Sequence, residues 1–185
     1  FTGTVGDDYG YQMDYAPSLN AIVGRVVFGG TNIVAYWTFD LGSHTMTTVP
    51  VFGPLIGSAQ GITWDATHGS IWFSDVEGAN TNFYQFTPPS AIITSITAFA
   101  GLGSATYITY DALSNAVYFT SSTTQKQNQF KVSNHTLNTL VDASFKYANG
   151  DARPQVIVSG IFYVAARANA GVPEGVRSCG INVFP

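Results

Sequence analysis

Two aspartates, Asp65 and Asp111, have the sequence context that is most suggestive of a binding site. Each ends a short apolar run, Ile-Thr-Trp in one case and Ile-Thr-Tyr in the other, and each is followed by Ala. Carboxylates repeated at strand ends could surround a mouth that binds a cation or a sugar. An aspartate in this context also suits a turn, where its side chain accepts hydrogen bonds from backbone amides. Repetition at equivalent positions favours the turn.

Other residue types that support catalysis or metal binding are sparse. The three histidines, His44, His68 and His135, do not form a pair at the spacing of metal ligands. The sequence contains no nucleophile elbow, no phosphate-binding loop and no zinc-protease motif. We therefore predict no catalytic residues, no metal site and no cofactor, and we expect that the protein is not an enzyme.

Two further residues bear on the cellular compartment. Asn134 begins the sequon Asn134-His135-Thr136, whose middle residue is not Pro, and is a candidate N-glycosylation site. Cys179 is the single cysteine, so a disulfide within the chain is excluded. Its thiol could pair with another molecule or be buried, and the buried thiol is favoured. The sequon and the scarcity of lysine favour an extracellular location, either secreted or at the cell surface.

The composition excludes several classes of protein. Charged residues make up 10% of the chain, against about 25% in an average globular protein. Lys and Arg number only 7 and the net charge is −4, so we predict no nucleic-acid partner. Residues 78–110 carry no charge, but prolines and glycines interrupt them, and we predict no membrane span. A surface with so little charge is rich in Ser and Thr, glycosylated, or covered by other subunits.

An internal repeat predicts how these residues are positioned. Residues 58–66 match residues 104–112 without a gap, and residues 71–74 match residues 117–120 at the same offset. Residues 84–87 match residues 130–133 in the same way. Apolar runs, alternation and turn residues predict four short strands per unit of about 46 residues, which is typical of a β-propeller blade.

Weaker copies on either side extend the repeat along the whole chain. We predict one all-β domain over residues 1–185, a small propeller of about four four-stranded blades. The predicted units cover residues 6–50, 51–98, 99–142 and 143–185, the last of them completed by residues 1–5. The last unit has three predicted strands, ending with residues 181–184, so the N-terminal strand could fill the vacancy and close the ring.

The repeat also resembles known families. Residues 108–111 (Ile-Thr-Tyr-Asp) and residues 115–121 (Asn-Ala-Val-Tyr-Phe-Thr-Ser) are similar to blades of the YWTD and NHL propellers and of the gluconolactonase and streptogramin-lyase propellers. The resemblance is clear over residues 58–142. It implies a propeller fold, usually with more than four blades, and specifies a blade more than a function. An incomplete or subunit-assembled ring therefore stays open as an alternative.

Three functional hypotheses follow. The leading one is a non-catalytic extracellular structural protein that assembles with copies of itself into a filament, coat or matrix. The alternative is a carbohydrate-binding propeller, in which aromatic residues stack on sugars, although their place in the strands favours core packing. The aromatic residues considered are Trp37, Trp64, Trp72, Tyr110 and Tyr118. A metal-assisted lactonase or lyase is the least favoured hypothesis.

Overall fold

The computed structural model describes residues 12–28, 33–51, 61–105, 107–121, 123–124, 126–139, 155–158, 161–166 and 175–180. Within these residues the chain is all-β, apart from one short 3-10 turn at Pro17–Leu19. The strands form three four-stranded antiparallel sheets and one three-stranded antiparallel sheet. In each sheet, neighbouring strands follow one another in the chain.

The four sheets contain fifteen strands. Sheet 1 consists of β1 (Met13–Ala16), β2 (Ala21–Phe28), β3 (Ile33–Asp40) and β4 (Met46–Pro50). Sheet 2 consists of β5 (Ile62–Asp65), β6 (Ser70–Glu77), β7 (Asn80–Phe86) and β8 (Ser95–Phe99). Sheet 3 consists of β9 (Ile108–Asp111), β10 (Ala116–Thr120), β11 (Gln127–Lys131) and β12 (Thr136–Thr139). Sheet 4 consists of β13 (Gln155–Val158), β14 (Ile161–Ala166) and β15 (Gly175–Gly180).

The first strands of consecutive sheets lie side by side. β1 contacts β5, β5 contacts β9 and β9 contacts β13, so the sheets are arranged around a common inner row of strands. Between the described parts of β1 and β13 there is no comparable contact. The described strands therefore form a series of four sheets, and they do not by themselves show a closed ring.

The turns repeat along with the strands. Asn20, Gly69 and Asn115 each immediately precede the second strand of a sheet, and each has a positive φ, of 47°, 61° and 48° respectively. Asn and Gly adopt this left-handed conformation at the lowest cost. The turns between the third and fourth strands of sheets 1 and 3 contain His44 and His135, both with φ 56°. Turn chemistry thus fixes the same hairpin geometry in successive sheets.

The hydrophobic core lies between the sheets. We call the face of a sheet toward the preceding sheet its front face, and the face toward the following sheet its rear face. The front face of sheet 2 packs against sheet 1 through Ile62, Trp64, Ile71, Phe73 and Phe86, all buried. The rear face of sheet 2 and the front face of sheet 3 pack through Trp72, Phe83, Ile108, Val117, Phe119 and Phe130. Apolar residues are buried on both faces, as expected for stacked sheets.

The structure corrects the predicted alignment of one strand. Phe86 lies opposite Ile71 and Phe130 lies opposite Val117, so Phe86 corresponds to Phe130 and not to Val132. A shift of two residues keeps each side chain on the same face, because side chains alternate along a strand. The sequence pattern therefore supports both alignments of this strand equally well. The fourth strand of sheet 2 is Ser95–Phe99.

The last sheet also differs from the prediction. Its third strand is Gly175–Gly180, where Gly180 pairs with Ile161, and not residues 181–184. The apolar alternation of residues 181–184 led to the prediction of the wrong segment. In the sequence of the observed strand, Arg177 and Ser178 interrupt such an alternation. Residues 1–5 and 181–185 lie outside the described residues, so their predicted pairing stays a prediction.

Candidate functional site

The innermost strands are linked by side chains that reach from one sheet to the next. Asp14 on β1 accepts hydrogen bonds through Oδ2 from the Thr63 hydroxyl (2.7 Å) and from the Trp64 amide (2.8 Å) of β5. The Thr63 hydroxyl oxygen accepts a hydrogen bond of 2.9 Å from the Tyr110 amide of β9. Asp14 and Thr63 each lie two positions before the last residue of their strands. A side chain at this position therefore caps a backbone amide of the following sheet.

Gln12, just before β1, connects three sheets. Its Oε1 accepts hydrogen bonds from the amides of Ile62 (3.3 Å) and Ile108 (3.0 Å). Its Nε2 donates to the carbonyl oxygen of Ile108. The backbone groups of Ile62 and Ile108 lie on edge strands, which have no further strand to pair with. Leaving a buried amide without a hydrogen-bond partner costs about 1–3 kcal/mol of stability. The polar groups along the inner strands are therefore committed to holding the sheets together.

Asp65 is a buried turn acceptor. Its Oδ1 accepts hydrogen bonds of 3.0 Å from the amides of both Thr67 and His68. Its Oδ2 lies 2.8 Å from His68 Nδ1 and accepts a hydrogen bond of 3.1 Å from Trp72 Nε1. With both oxygens occupied by groups of the same sheet, this carboxylate ties the β5–β6 turn to the core.

Asp111 is used in a similar way. Its Oδ2 accepts hydrogen bonds from the amide (2.9 Å) and the hydroxyl (2.6 Å) of Ser114 in the β9–β10 turn. The neighbouring Tyr110 hydroxyl lies 2.6 Å from Thr67 Oγ1 and donates to Asn115 Oδ1 at 2.9 Å. Burial raises the pKa of Tyr110 to about 12, so its hydroxyl is protonated at neutral pH. The structure thus places Asp65 and Asp111 in turns, where hydrogen bonds within the chain occupy both oxygens of Asp65 and Oδ2 of Asp111.

Asp75 is a charged side chain that the sequence patterns did not single out. This side chain is fully buried on β6. Its Oδ1 accepts a hydrogen bond of 2.7 Å from the Val76 amide, and its Oδ2 has no hydrogen-bond partner. Burial is the main reason why the pKa of Asp75 is raised to about 6; the Val76 amide and the Arg25 cation act to lower this pKa, and Glu77 acts to raise it. Arg25 is itself buried on β2, so sheets 1 and 2 enclose opposite charges. An aspartate directly before Val76 in a strand whose earlier residues, 70–74, carry no charge is the sequence signal that could have identified it.

A pocket of about 300 Å³ opens beside sheet 1. Its lining is mostly apolar, with a few polar groups, and consists of Leu19, Ala21, Tyr36, Thr38, Asp40, Thr47, Val49, Pro88 and Pro89. The Tyr36 ring is buried, so the pocket does not present it as an exposed stacking platform. Hydrogen bonds from Ser43 hold the pKa of Asp40 below its usual range, so this carboxylate is ionised. The pocket could hold a small ligand with an apolar body and a few polar groups.

The other predicted site residues are not gathered at one place. Asn134 lies in the turn between β11 and β12 and is exposed; its Oδ1 accepts the Thr136 amide (3.2 Å) and hydroxyl (2.7 Å). Cys179 lies on β15, paired in register with Phe162. The aromatic residues considered for sugar stacking are buried or half-buried in the sheets: Trp37, Trp64, Trp72, Tyr110 and Tyr118.

Neither a metal-ligand cluster nor a membrane-spanning helix occurs among the described residues. No three His, Cys, Asp or Glu side chains in this part of the chain are grouped so that they could hold a metal ion. Across the same residues, no helix has the length and apolar character needed to cross a membrane.

Solved structures similar to this chain are β-propeller proteins of the NHL and YWTD type. TolB from Acinetobacter baumannii is 16% identical with a TM-score of 0.63, covering 95% of this chain and 42% of TolB. A structural-genomics protein from Bacteroides thetaiotaomicron is 14% identical with a TM-score of 0.69, covering 95% of this chain and 46% of that one. The nidogen/laminin complex is 13% identical with a TM-score of 0.62, covering 83% of this chain and 54% of the matched chain.

These similarities show the fold, a β-propeller built from repeated antiparallel sheets. This chain spans about half the length of the structures that it matches. No protein-family model and no curated protein matches the chain.

Proposed function

We propose that this chain is a non-catalytic structural propeller that assembles with copies of itself outside the cell, as a subunit of a filament, coat or matrix. The observation that carries the proposal is a set of exposed apolar side chains on a weakly charged protein. Met13 and Ile92 are each 64% exposed and Tyr15 is 49% exposed. Association with another protein surface would remove such groups from water, at about 25 cal/mol per Å² of apolar area.

The way in which polar groups are used supports the same proposal. Asp14, Asp65 and Asp111 hold backbone amides and hydroxyls of their own chain. A catalytic or binding carboxylate needs acceptor capacity directed toward a ligand. The inner strands and turns of the described chain use their carboxylates to maintain the fold.

The proposal includes four blades per chain. A ring closed within one chain needs residues 1–5 to complete the last blade, and these residues lie outside the described part. The exposure of Met13 and Tyr15 on β1 counts against closure by sheet 4 and favours assembly between chains.

The test of self-assembly is the mass of the purified protein in solution. Multi-angle light scattering across a range of concentrations should give multiples of the chain mass of 19.7 kDa. Electron microscopy should then show particles of regular form. A single species of 19.7 kDa at the highest attainable concentration would contradict the proposal.

The extracellular part of the proposal has a separate test at Asn134. The exposed turn makes this side chain accessible to a glycosyltransferase, so protein from the native source should lose mass on treatment with an N-glycosidase. The Asn134→Gln variant, expressed in a secreting eukaryotic cell, should lack the same mass. An unglycosylated native protein would remove this support for an extracellular location.

Carbohydrate binding is the second candidate function, and the pocket beside sheet 1 is the observation that favours it. Thr38, Asp40 and Thr47 supply hydrogen-bonding groups next to apolar walls. A glycan array should then show binding that weakens in the Thr38→Val variant. The absence of binding to any glycan would argue against this function without affecting the structural proposal.

A further inference from the structure

The front face of sheet 1 is exposed where the front faces of sheets 2 and 3 are buried. Tyr15, Ile22, Phe39 and Met46 are register partners across the four strands of sheet 1 and form one row on this face. Met13 lies on the same face, two residues before Tyr15. We call these five residues the front patch. Tyr15 is 49% exposed, Met13 is 64% exposed, and the other three are partly exposed.

Most of the equivalent residues of the next two sheets have little contact with water, and Tyr110, the counterpart of Tyr15 in sheet 3, is half-buried. Trp64, which pairs with Ile71 as Tyr15 pairs with Ile22, is 5% exposed, and Ile71 is fully buried. Ile62 and Ile108, which correspond to Met13, are fully buried. The front patch therefore consists of residues whose counterparts elsewhere in the chain are covered. The opposite end of the same face, at Val26 and Ala35, is buried.

The counterparts are covered by the rear face of a preceding sheet. Ile62, Trp64 and Ile71 pack against Val23 and Tyr36 of sheet 1. In the same way, Ile108, Val117 and Phe119 pack against Trp72 and Phe83 of sheet 2. Since the front patch repeats the apolar pattern of these faces, the surface that fits it is the rear face of a propeller blade.

The backbone amide of Tyr15 provides an independent indication. The equivalent amides, those of Trp64 and Tyr110, donate to a side chain of the preceding sheet, Asp14 in one case and Thr63 in the other. The Tyr15 amide instead donates to Oδ1 of its own neighbour Asp14, at 2.8 Å in an exposed position. Both the apolar row and the amide thus lack the preceding sheet that the repeat supplies elsewhere.

We propose that the front patch is the docking site for the rear face of sheet 4 of a second copy of this chain. This inference rests on the proposed self-assembly and identifies its interface. Sheet 4 is the fourth of the described sheets, so a contact of its rear face with sheet 1 of another copy repeats the order in which sheets 1 to 4 follow one another. The chain's own sheet 4 does not cover Met13 or Tyr15, which are exposed in its presence.

The length of this chain relative to the similar propellers supports a second copy as the docking partner. This chain spans between 42% and 54% of the similar propellers named above, so two copies in series have about the length of one such protein. A head-to-tail contact joins two different surfaces of the chain and is therefore heterologous. It generates a closed ring if the rotation between successive copies adds up to a full turn, and a filament if it does not.

The test compares charged substitutions in the front patch with a matched substitution elsewhere. Tyr15→Glu and Met13→Lys place a charge in the proposed contact, at positions that are exposed in the single chain and therefore tolerate polar groups. Leu113→Glu introduces a charge at a more exposed apolar residue in the β9–β10 turn, away from the patch. Each variant is measured by light scattering and by thermal unfolding.

We expect the wild type and Leu113→Glu to assemble, while Tyr15→Glu and Met13→Lys shift to the 19.7 kDa mass with at least tenfold weaker association. Unchanged thermal unfolding of the monomer shows that these variants fold. A wild type that stays monomeric overturns both the inference and the proposed function. A wild type that assembles, with both patch variants assembling equally well, overturns the inference alone and leaves self-assembly through another surface.

Discussion

Replacing Gly24 with Ala should destabilise sheet 1, because the added methyl group would overlap the indole ring of Trp37. A Cβ at this position would lie 2.2 Å from Trp37 Cζ2 and 2.3 Å from Cε2. Gly24 and Trp37 are register partners on adjacent strands, and the indole lies across the glycine. The clash is with the rigid part of a side chain that is only 9% exposed.

The cost has two parts. Inserting a methyl group into a packed site typically costs about 1–3 kcal/mol through forced shifts of neighbouring groups. Moving the indole also weakens the hydrogen bond of 3.1 Å from Trp37 Nε1 to the Arg25 carbonyl oxygen. A buried hydrogen bond contributes about 1 kcal/mol, so the total loss in the free energy of unfolding is about 2–4 kcal/mol.

Urea unfolding followed by tryptophan fluorescence measures this loss. Gly42→Ala is the matched control, since a Cβ there would meet Asp40 Oδ1 at 3.3 Å in an exposed turn. It should change the free energy of unfolding by less than about 1 kcal/mol. Combining Gly24→Ala with Trp37→Leu should cost less than the sum of the single changes, because the smaller side chain leaves room for the methyl. A Gly24→Ala variant as stable as the wild type, or strict additivity in the double variant, would refute the reasoning.

Two other predictions concern buried residues. The folded pKa of Asp75, about 6, lies above its ordinary value of 3.8, so the folded state binds the proton more tightly. The contribution of Asp75 to the free energy of unfolding should therefore fall by on the order of 3 kcal/mol as the pH rises from about 4 to 6. The Asp75→Asn variant should lack this pH dependence when the free energy of unfolding is measured at pH 4 and at pH 7. An identical pH dependence in wild type and variant would contradict the prediction. Phe119→Ala should cost about 3–5 kcal/mol in chemical unfolding, because the ring is buried with its centroid 4.9 Å from that of Phe83. The control Leu113→Ala, in an exposed turn, should cost less than about 0.5 kcal/mol, and a loss below about 1 kcal/mol in Phe119→Ala would show that the ring is not a core group.

The repeat made most of sheets 2 and 3 predictable from the sequence. Ile-Thr-Trp-Asp and Ile-Thr-Tyr-Asp each form the first strand of a sheet, because β-branched and aromatic residues suit a pleated strand between two packed faces. Asn115 and Gly69 mark the turns that follow, since they adopt a positive φ at low cost. Local chemistry and periodicity were sufficient at these positions.

Pairing between distant segments was harder to predict. The strand Gly175–Gly180 in sheet 4 is selected by its register with Ile161–Ala166, which the local sequence does not encode. The two-residue shift of Phe86 was also hidden, because it leaves the alternation of faces unchanged. Register depends on turn lengths and on partners elsewhere in the chain.

The polar groups of the inner strands were missed for a related reason. Asp14 occupies the position of Thr63 in the repeat, but Met-Asp-Tyr-Ala does not resemble Ile-Thr-Trp-Asp closely enough to be aligned. Its function is to accept hydrogen bonds from another sheet, which becomes visible only when the sheets are adjacent. Asp65, in contrast, was assigned to a turn because the backbone amides that donate to it lie within three residues along the chain.

The side chain of Gln12 has a consequence for the order of folding. It joins backbone groups that are 96 residues away in the chain, whereas the strands of each sheet pair with their immediate neighbours. A contact of such long separation forms only after the intervening loop has closed, and such contacts slow folding. Sheets 2 and 3 can therefore form by local pairing first, and the segment that contains Gln12 can be fixed only when β5 and β9 already lie side by side. The segment that contains Gln12 is thus expected to be among the last of the described parts to become ordered, although the ribosome makes it before the sheets that it joins.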